Sequence, residues 1–297
     1  MRILRGVGIT LGVLIALLIL IAAVGYGISS SRLSRSWEVA PESLEFSTDS
    51  AVLARGRHLA EARLGCADCH TADLGGQVFI DSPVFGRFVA PNLTRGAGGI
   101  GASYTDADWV RSVRHGVAPD GRALLIMPSQ EFSRLSREDL VAVISWVKSV
   151  PAVDRTVPQS APGPIARAMV VFDEKAIPAS VIDHSAPFPA APVEEVSVEY
   201  GAYLAGTSGC RGCHGPDLGG AKSHEPGGIP PANLTPAGAL GSWSEADFRR
   251  AMREGKRPDG TAIAPAMPWS SLGRMSDLEL NAIFAYLKSL PPVTREI

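Results

Sequence analysis

Two copies of Cys-x-x-Cys-His account for every cysteine in the chain: Cys66-Ala67-Asp68-Cys69-His70 and Cys210-Arg211-Gly212-Cys213-His214. Thiols three residues apart can add to the two vinyl groups of one haem, and the following histidine is then held against the iron as its proximal ligand. The spacing reads as covalent attachment of haem c, twice. Three other chemistries compete on the motif alone. A zinc ion on all four cysteines would have to gather pairs 144 positions apart, and zinc needs no histidine after each pair. A thioredoxin-like redox pair calls for a βαβ context that neither motif shows. Two disulfides would close loops too short to stabilise much.

The motif lies inside a longer repeat. Gly56-Arg57-His58-Leu59-Ala60 answers Gly201-Ala202-Tyr203-Leu204-Ala205, and Asp-Leu-Gly-Gly follows each histidine, at Asp73 to Gly76 and at Asp217 to Gly220. Asn92-Leu93-Thr94 answers Asn233-Leu234-Thr235, Pro119-Asp120-Gly121 answers Pro258-Asp259-Gly260, and Met127-Pro128 answers Met267-Pro268. Trp146-Val147-Lys148-Ser149-Val150-Pro151 closes the first copy as Tyr286-Leu287-Lys288-Ser289-Leu290-Pro291 closes the second. One domain has been duplicated.

The repeat also nominates a sixth ligand for each iron. Met127 and Met267 are paired across the copies, each before a proline in a loop, whereas Met169, Met252 and Met275 have no methionine counterpart. A thioether opposite an imidazole raises the reduction potential and leaves no open coordination position, which suits an iron that shuttles single electrons. His58, His115, His184 and His224 are unpaired in the repeat and read as surface residues or as neighbours of the ligands. Asn92 and Asn233 match the glycosylation acceptor pattern, but their equivalent places favour a structural loop near each haem. Trp109 and Phe248 read as core aromatics facing it.

The elements that must position these residues are helical. Thr105, Ser244, Ser136 and Ser276 each precede an acidic residue by three positions, the pattern of a capped helix start. Val143, Ile144 and Val147 recur at helical spacing from Leu140, and Ile283, Phe284 and Leu287 do so from Leu280. Pro151 and Pro291 stop these last helices. The loops between show no strand alternation, so the expected fold class is all-α: tandem duplicated domains after one N-terminal transmembrane helix.

Gly6 to Ile28 is an apolar run of 23 residues flanked by Arg2, Arg5, Arg32 and Arg35, long enough to span a bilayer. A cleaved signal peptide is the competing reading, although Ala22-Ala23-Val24-Gly25 is a poor cleavage site. Haem attachment takes place on the oxidising side of a membrane. The expected location is therefore the bacterial cytoplasmic (inner) membrane, single-pass, with the haem domains on the periplasmic side. The expected organisation is an anchor at 1–35, a tether at 36–49, haem domains at 50–151 and 198–297, and a proline-rich linker at 152–197 whose Ile165–Phe172 stretch could pack as a helix against both domains. With 28 basic and 30 acidic side chains, the charge gives no reason to expect a nucleic acid partner.

Taken together, Cys-x-x-Cys-His, Asp-Leu-Gly-Gly, Asn-Leu-Thr, Pro-Asp-Gly, Met-Pro and the closing aromatic-x-Lys-Ser-x-Pro resemble the class I cytochrome c domain. The arrangement is similar to that of the multihaem cytochrome subunits of membrane-bound bacterial alcohol and gluconate dehydrogenases, which typically carry three such domains. The resemblance implies thioether links at Cys66, Cys69, Cys210 and Cys213 and iron ligation by His70, Met127, His214 and Met267. It also implies no catalytic residues and a role as an electron relay between a periplasmic dehydrogenase or quinol-oxidising complex and a terminal acceptor. A dihaem enzyme of the cytochrome c peroxidase or thiosulfate dehydrogenase type is the alternative. The first would need an iron freed of its methionine, and the second a cysteine outside the attachment motifs.

Overall fold

The structure is a computed structural model that describes residues 2–40, 42–223 and 228–295, with the backbone alone for Arg2. It is mostly helical. Helix α1 (Arg2–Leu33) carries the apolar run. In the first repeat α2 (Ser50–His58) passes through a π-helical turn (Leu59–Arg63) to α3 (Cys66–His70), α4 (Asp106–His115), α5 (Ser129–Phe132) and α6 (Arg137–Ser149). Helix α7 (Pro164–Phe172) lies between the repeats. The second repeat holds α8 (Val198–Thr207), α9 (Cys210–His214), α10 (Glu245–Glu254), α11 (Trp269–Leu272) and α12 (Asp277–Ser289).

The helix starts follow the residues that cap them. Thr105, Ser244 and Ser276 close reciprocal capping boxes with Asp108, Asp247 and Glu279, which satisfies two of the unpaired N–H groups at each helix start. Each first helix crosses the last helix of its own repeat at a glycine. A methyl group on Gly56 would lie 1.9 Å from the Ala142 carbonyl oxygen, and one on Gly201 would lie 1.9 Å from that of Ala282. Around these crossings Leu59, Leu74, Trp109, Leu140 and Ile144 fill one core, and Leu204, Leu218, Phe248, Leu280 and Leu287 fill the other.

The first repeat departs from the expected absence of strands. Strands β1 (Gln77–Ser82) and β2 (Gly86–Ala90) form an antiparallel hairpin, and β3 (Ala161–Pro162) adds to its edge. Val78, Ile80, Phe88 and Ala90 alternate across the turn Ser82-Pro83-Val84-Phe85, a short signal easily absorbed into a glycine- and proline-rich loop. Among the described residues the second repeat has no such hairpin.

The two repeats meet face to face, and corresponding residues exchange partners across the junction. Tyr203 on α8 donates a 2.7 Å hydrogen bond to Asp139 at the start of α6. His58, at the position of Tyr203 in the other copy, meets Glu279 at the start of α12 at 2.8 Å. Asp68, inside the first attachment motif, accepts a 2.8 Å hydrogen bond from Ser271 on α11, while Glu131 on α5 lies against Arg211 and Gly212 of the second motif. The junction therefore has approximate twofold symmetry. Asp139 gives up its own capping box to serve it: the Ser136 N–H donates to the Tyr203 hydroxyl at 3.0 Å instead.

One extra residue distinguishes the copies here. Nine positions separate Gly56 from Gly65, and eight separate Gly201 from Gly209. The first helix absorbs the surplus as its π-helical turn, which carries the buried Ala62 and Arg63 into the junction. Arg63 donates to Thr207 at 3.0 Å and lies 3.4 Å from Asp139, whose other oxygen takes Arg55 at 2.6 Å.

Removing a buried carboxylate that serves two arginines leaves their charge uncompensated. Asp139→Ala should lower unfolding stability by about 3–5 kcal/mol, and Tyr203→Phe by about 1 kcal/mol. Urea titration of the detergent-solubilised protein measures both, and an equal cost for the two would contradict the assigned roles.

Candidate functional site

Each attachment motif forms a single helical turn, α3 or α9, so that its two cysteines lie three apart on one face. A glycine in the left-handed conformation begins each turn: Gly65 at φ 62° and Gly209 at φ 76°. The thiols are unpaired. Burial pushes the Cys66 and Cys210 thiols up to about 12 and also raises Cys69. Among the described residues no three His, Cys, Asp or Glu side chains come together as a metal cluster, which removes the four-cysteine zinc reading.

Both histidines are oriented in the same way. His70 Nδ1 donates to the Pro91 carbonyl at 2.9 Å, and His214 Nδ1 donates to the Ala232 carbonyl at 2.7 Å. A carbonyl only accepts, so the proton is on Nδ1 and the Nε2 lone pair is left to face a metal. Burial holds both imidazoles below their ordinary range, which keeps them neutral.

Pro91 and Ala232 immediately precede Asn92 and Asn233, and the asparagines are what hold those carbonyls in place. Asn92 Nδ2 donates to Val153 at 2.7 Å and Asn233 Nδ2 to Val293 at 2.7 Å, in the chain leaving each last helix. The Val153 and Val293 N–H groups donate back to Thr94 and Thr235 at 2.9 and 3.1 Å. Both asparagine side chains are fully engaged, as a structural loop requires and a glycosylation acceptor does not. Arg155 and Arg295 continue these tails onto Asp73 and Asp217 of the Asp-Leu-Gly-Gly turns. A methyl group on Gly75 would lie 2.9 Å from Val153 Cγ1 and one on Gly219 2.6 Å from Val293 Cγ1, so in both copies the tail packs where a side chain would be.

The methionine loops are built alike. Leu124 N–H donates to Gly116 and Ile263 N–H to Gly255, each at 2.7 Å, tying each loop to the glycine that ends the middle helix. Met127 packs into the core that holds Cys66, and Met267 into the core that holds Cys210. Met252 and Met275 are buried in the second repeat's core and Met169 is exposed, whereas Met127 and Met267 are half-buried at matching places in the two copies.

The residues present fit haem c. Each repeat holds two unpaired thiols, an imidazole presenting Nε2 and a half-buried thioether. Trp109 Nε1 is buried without a partner, a donor suited to a carboxylate of that group, whereas Phe248 offers none in the second repeat.

The isolated histidines fall elsewhere. His58 belongs to the junction. His115 corrects the surface expectation: it is buried, with its Nδ1 3.0 Å from that of His184, against Glu42 and Arg114. His224 lies outside the described residues. The junction residues Asp139, Tyr203 and Glu279 and the tail arginines escaped the sequence reading. The pairing of Asp73 with Arg155 and of Asp217 with Arg295 was detectable as a repeated feature.

The cytochrome c family model matches residues 53–151 and 198–291. The chain is 32% identical over 285 residues to the cytochrome c subunit of a quinone alcohol dehydrogenase from Gluconacetobacter polyoxogenes, covering 82% of this chain and 57% of that one. It is 30% identical over 275 residues to the gluconate 2-dehydrogenase cytochrome c subunit of Pantoea cypripedii, covering 82% and 60%. A diheme cytochrome c-type protein of Cereibacter sphaeroides is 27% identical over 261 residues, covering 77% and 83%. The chain thus spans a little over half the length of the dehydrogenase subunits.

Asn92→Ala frees the Val153 and Pro91 segments together and should cost about 2 kcal/mol, read from urea unfolding. Burial, then Arg114, lower the pKa of His115. Above about pH 6.5 it is neutral folded and unfolded; below that the unfolded chain takes the proton first, so stability falls with pH. The unfolding midpoint should drop as pH falls from about 6.5 to about 4, and His115→Gln should shrink that drop; an unaltered slope in the variant would assign it to other groups.

Proposed function

The chain belongs to the cytochrome c family, and we propose that it is a membrane-anchored dihaem relay that carries single electrons from a periplasmic dehydrogenase or quinol-oxidising complex to a terminal acceptor. The observation that carries this reading is the duplication of the whole constellation: attachment motif, carbonyl-oriented histidine and loop methionine occur once in each repeat. Relatives named as cytochrome c subunits of quinone alcohol and gluconate dehydrogenases support a role in electron transfer from a dehydrogenase. In this reading the chain is the cytochrome component of an oxidoreductase complex, with no substrate chemistry of its own.

Haem c supplies reversible exchange of one electron at iron. Cys66 and Cys69 would hold the first group and Cys210 and Cys213 the second. His70 with Met127, and His214 with Met267, would ligate the irons. The Pro91 and Ala232 carbonyls keep each imidazole in the tautomer that can ligate. Asp68 of the first motif meets Ser271 of the second repeat and Glu131 of the first repeat lies against Arg211 of the second motif, so both segments border the junction, which supports a relay between them.

Helix α1 serves as the anchor. Its last turns are built into the folded protein: Ser29 is fully buried and Arg32 donates to Val170 at 2.6 Å, which favours retention over removal as a leader. Oxidative haem attachment then puts the repeats on the periplasmic face of the inner membrane.

A potentiometric optical titration of the full chain, made with haem-maturation machinery and held in detergent, tests the reading. Two haems per chain, both low-spin and of high potential, are expected, with the methionine-to-iron band present when oxidised. Met127→Leu should remove about half of that band and lower one potential only. A wild-type protein with one high-spin haem would instead favour a dihaem enzyme with an open iron.

A further inference from the structure

Helix α7 is apolar on two faces. Ala166 and Val170 turn inward, where Val170 packs with Val117, Ile177 and Ala179 beside Leu33 and Trp37. Ile165, Met169 and Phe172 recur at i, i+4 and i+7 on another face and are 44, 48 and 88% exposed. The hairpin turn extends this stripe: Ile165 N–H donates to the Val84 carbonyl at 3.0 Å, and Val84 is itself exposed. A stripe of this kind on a nine-residue helix marks a contact surface rather than ordinary surface apolarity.

Its place in the fold says what covers it. Arg32 of α1 donates to Val170 at 2.6 Å and to Val171 at 3.1 Å, near the C-terminal end of α7. Arg167 of α7 donates to Ser29 at 3.2 Å and Ser30 at 3.1 Å, with its guanidinium 4.5 Å from the Tyr26 ring centre. Helix α7 is therefore clamped to the stretch Tyr26 to Arg32. The apolar run Gly6 to Ile28 is about 34 Å long at 1.5 Å per residue, against about 30 Å of hydrocarbon. Its far end, with a tyrosine and then arginines, falls in the headgroup layer, where those side chains are favoured. The exposed stripe is held at that depth.

We propose that α7 and the Val84 turn form a second membrane contact, an interfacial helix whose Ile165, Met169 and Phe172 insert at the headgroup boundary and seat the first repeat on the bilayer. Arg32 and Arg167 beside it suit anionic headgroups, while Arg35 is paired with Glu174 at 2.7 Å. This contact rests on the reading of α1 as an anchor, and it would restrict the angle at which the first attachment site meets a partner in the same membrane.

The full chain, reconstituted in vesicles of phosphatidylethanolamine and phosphatidylglycerol with a diazirine in the acyl chain, tests this by photolabelling and peptide mass spectrometry. Label is expected on α1 and, within about threefold of it, on residues 164–172. Ile165→Ser/Met169→Ser/Phe172→Ser, changed at exposed positions, should lower the label on 164–172 about tenfold while leaving that on α1 unchanged. Label on α1 alone overturns this proposal and leaves the stripe to a protein partner. Absence of label from α1 as well overturns the anchor itself. Label that persists on 164–172 in the triple variant also overturns the role given to these side chains.

Discussion

Each histidine is aimed by a backbone carbonyl whose position depends on a hydrogen-bonded asparagine one residue later. Asn92 and Asn233 bind the chain leaving the last helix, so the closing segment of each repeat is what holds the loop beside its attachment motif. The Asp-Leu-Gly-Gly turn is drawn into the same arrangement by the Leu93 and Leu234 N–H groups, which donate to Leu74 at 2.9 Å and Leu218 at 2.8 Å. Three segments far apart in sequence meet at this one loop, two of them joined through its side-chain amide. If that amide were lost, the imidazole would keep its place on α3 or α9 but lose the acceptor that selects its tautomer.

The junction between repeats shows how a duplicated domain becomes a two-domain device. The same surface is used on both sides, yet the partners have diverged: a tyrosine meets an aspartate on one side and a histidine meets a glutamate on the other. Burial and then the Asp139 carboxylate push Tyr203 up to about 12, so its neutral hydroxyl donates to Asp139 while accepting from the Ser136 N–H. Burial alone would raise Glu279, but its hydrogen bonds from His58 and the Ser276 N–H hold it below the ordinary carboxylate range. The single inserted residue in the first helix is taken up as a π-helical turn beside these contacts, as expected where a helix must keep both ends in register with fixed partners.

Much of each site was legible because the duplication repeats it. Cys66, Cys69 and His70 are local in sequence, and a five-residue motif carries its own geometry. Met127 stood out only through Met267, and Asn92 only through Asn233. The capped helix starts at Thr105, Ser244 and Ser276 could be read because a cap is a local bond between a side chain and the next turn. The hairpin at Gln77–Ala90 escaped for the opposite reason: its strands are short, it occurs in one repeat, and its edge is completed by Ala161–Pro162 from beyond the last helix.

The sequence by itself determined the chemistry of the two attachment sites, the helical class, the duplication and the apolar first helix, since each follows from spacing within a few turns or from comparison of one copy with the other. Tertiary structure decided which carbonyl aims each histidine, that Asp139 leaves its cap for Tyr203 and Arg55, that His115 is buried beside His184, and that α7 lies along α1. All of these join residues eighteen or more positions apart or select one partner among several equivalent ones, a choice made by how the packed helices bring their ends together.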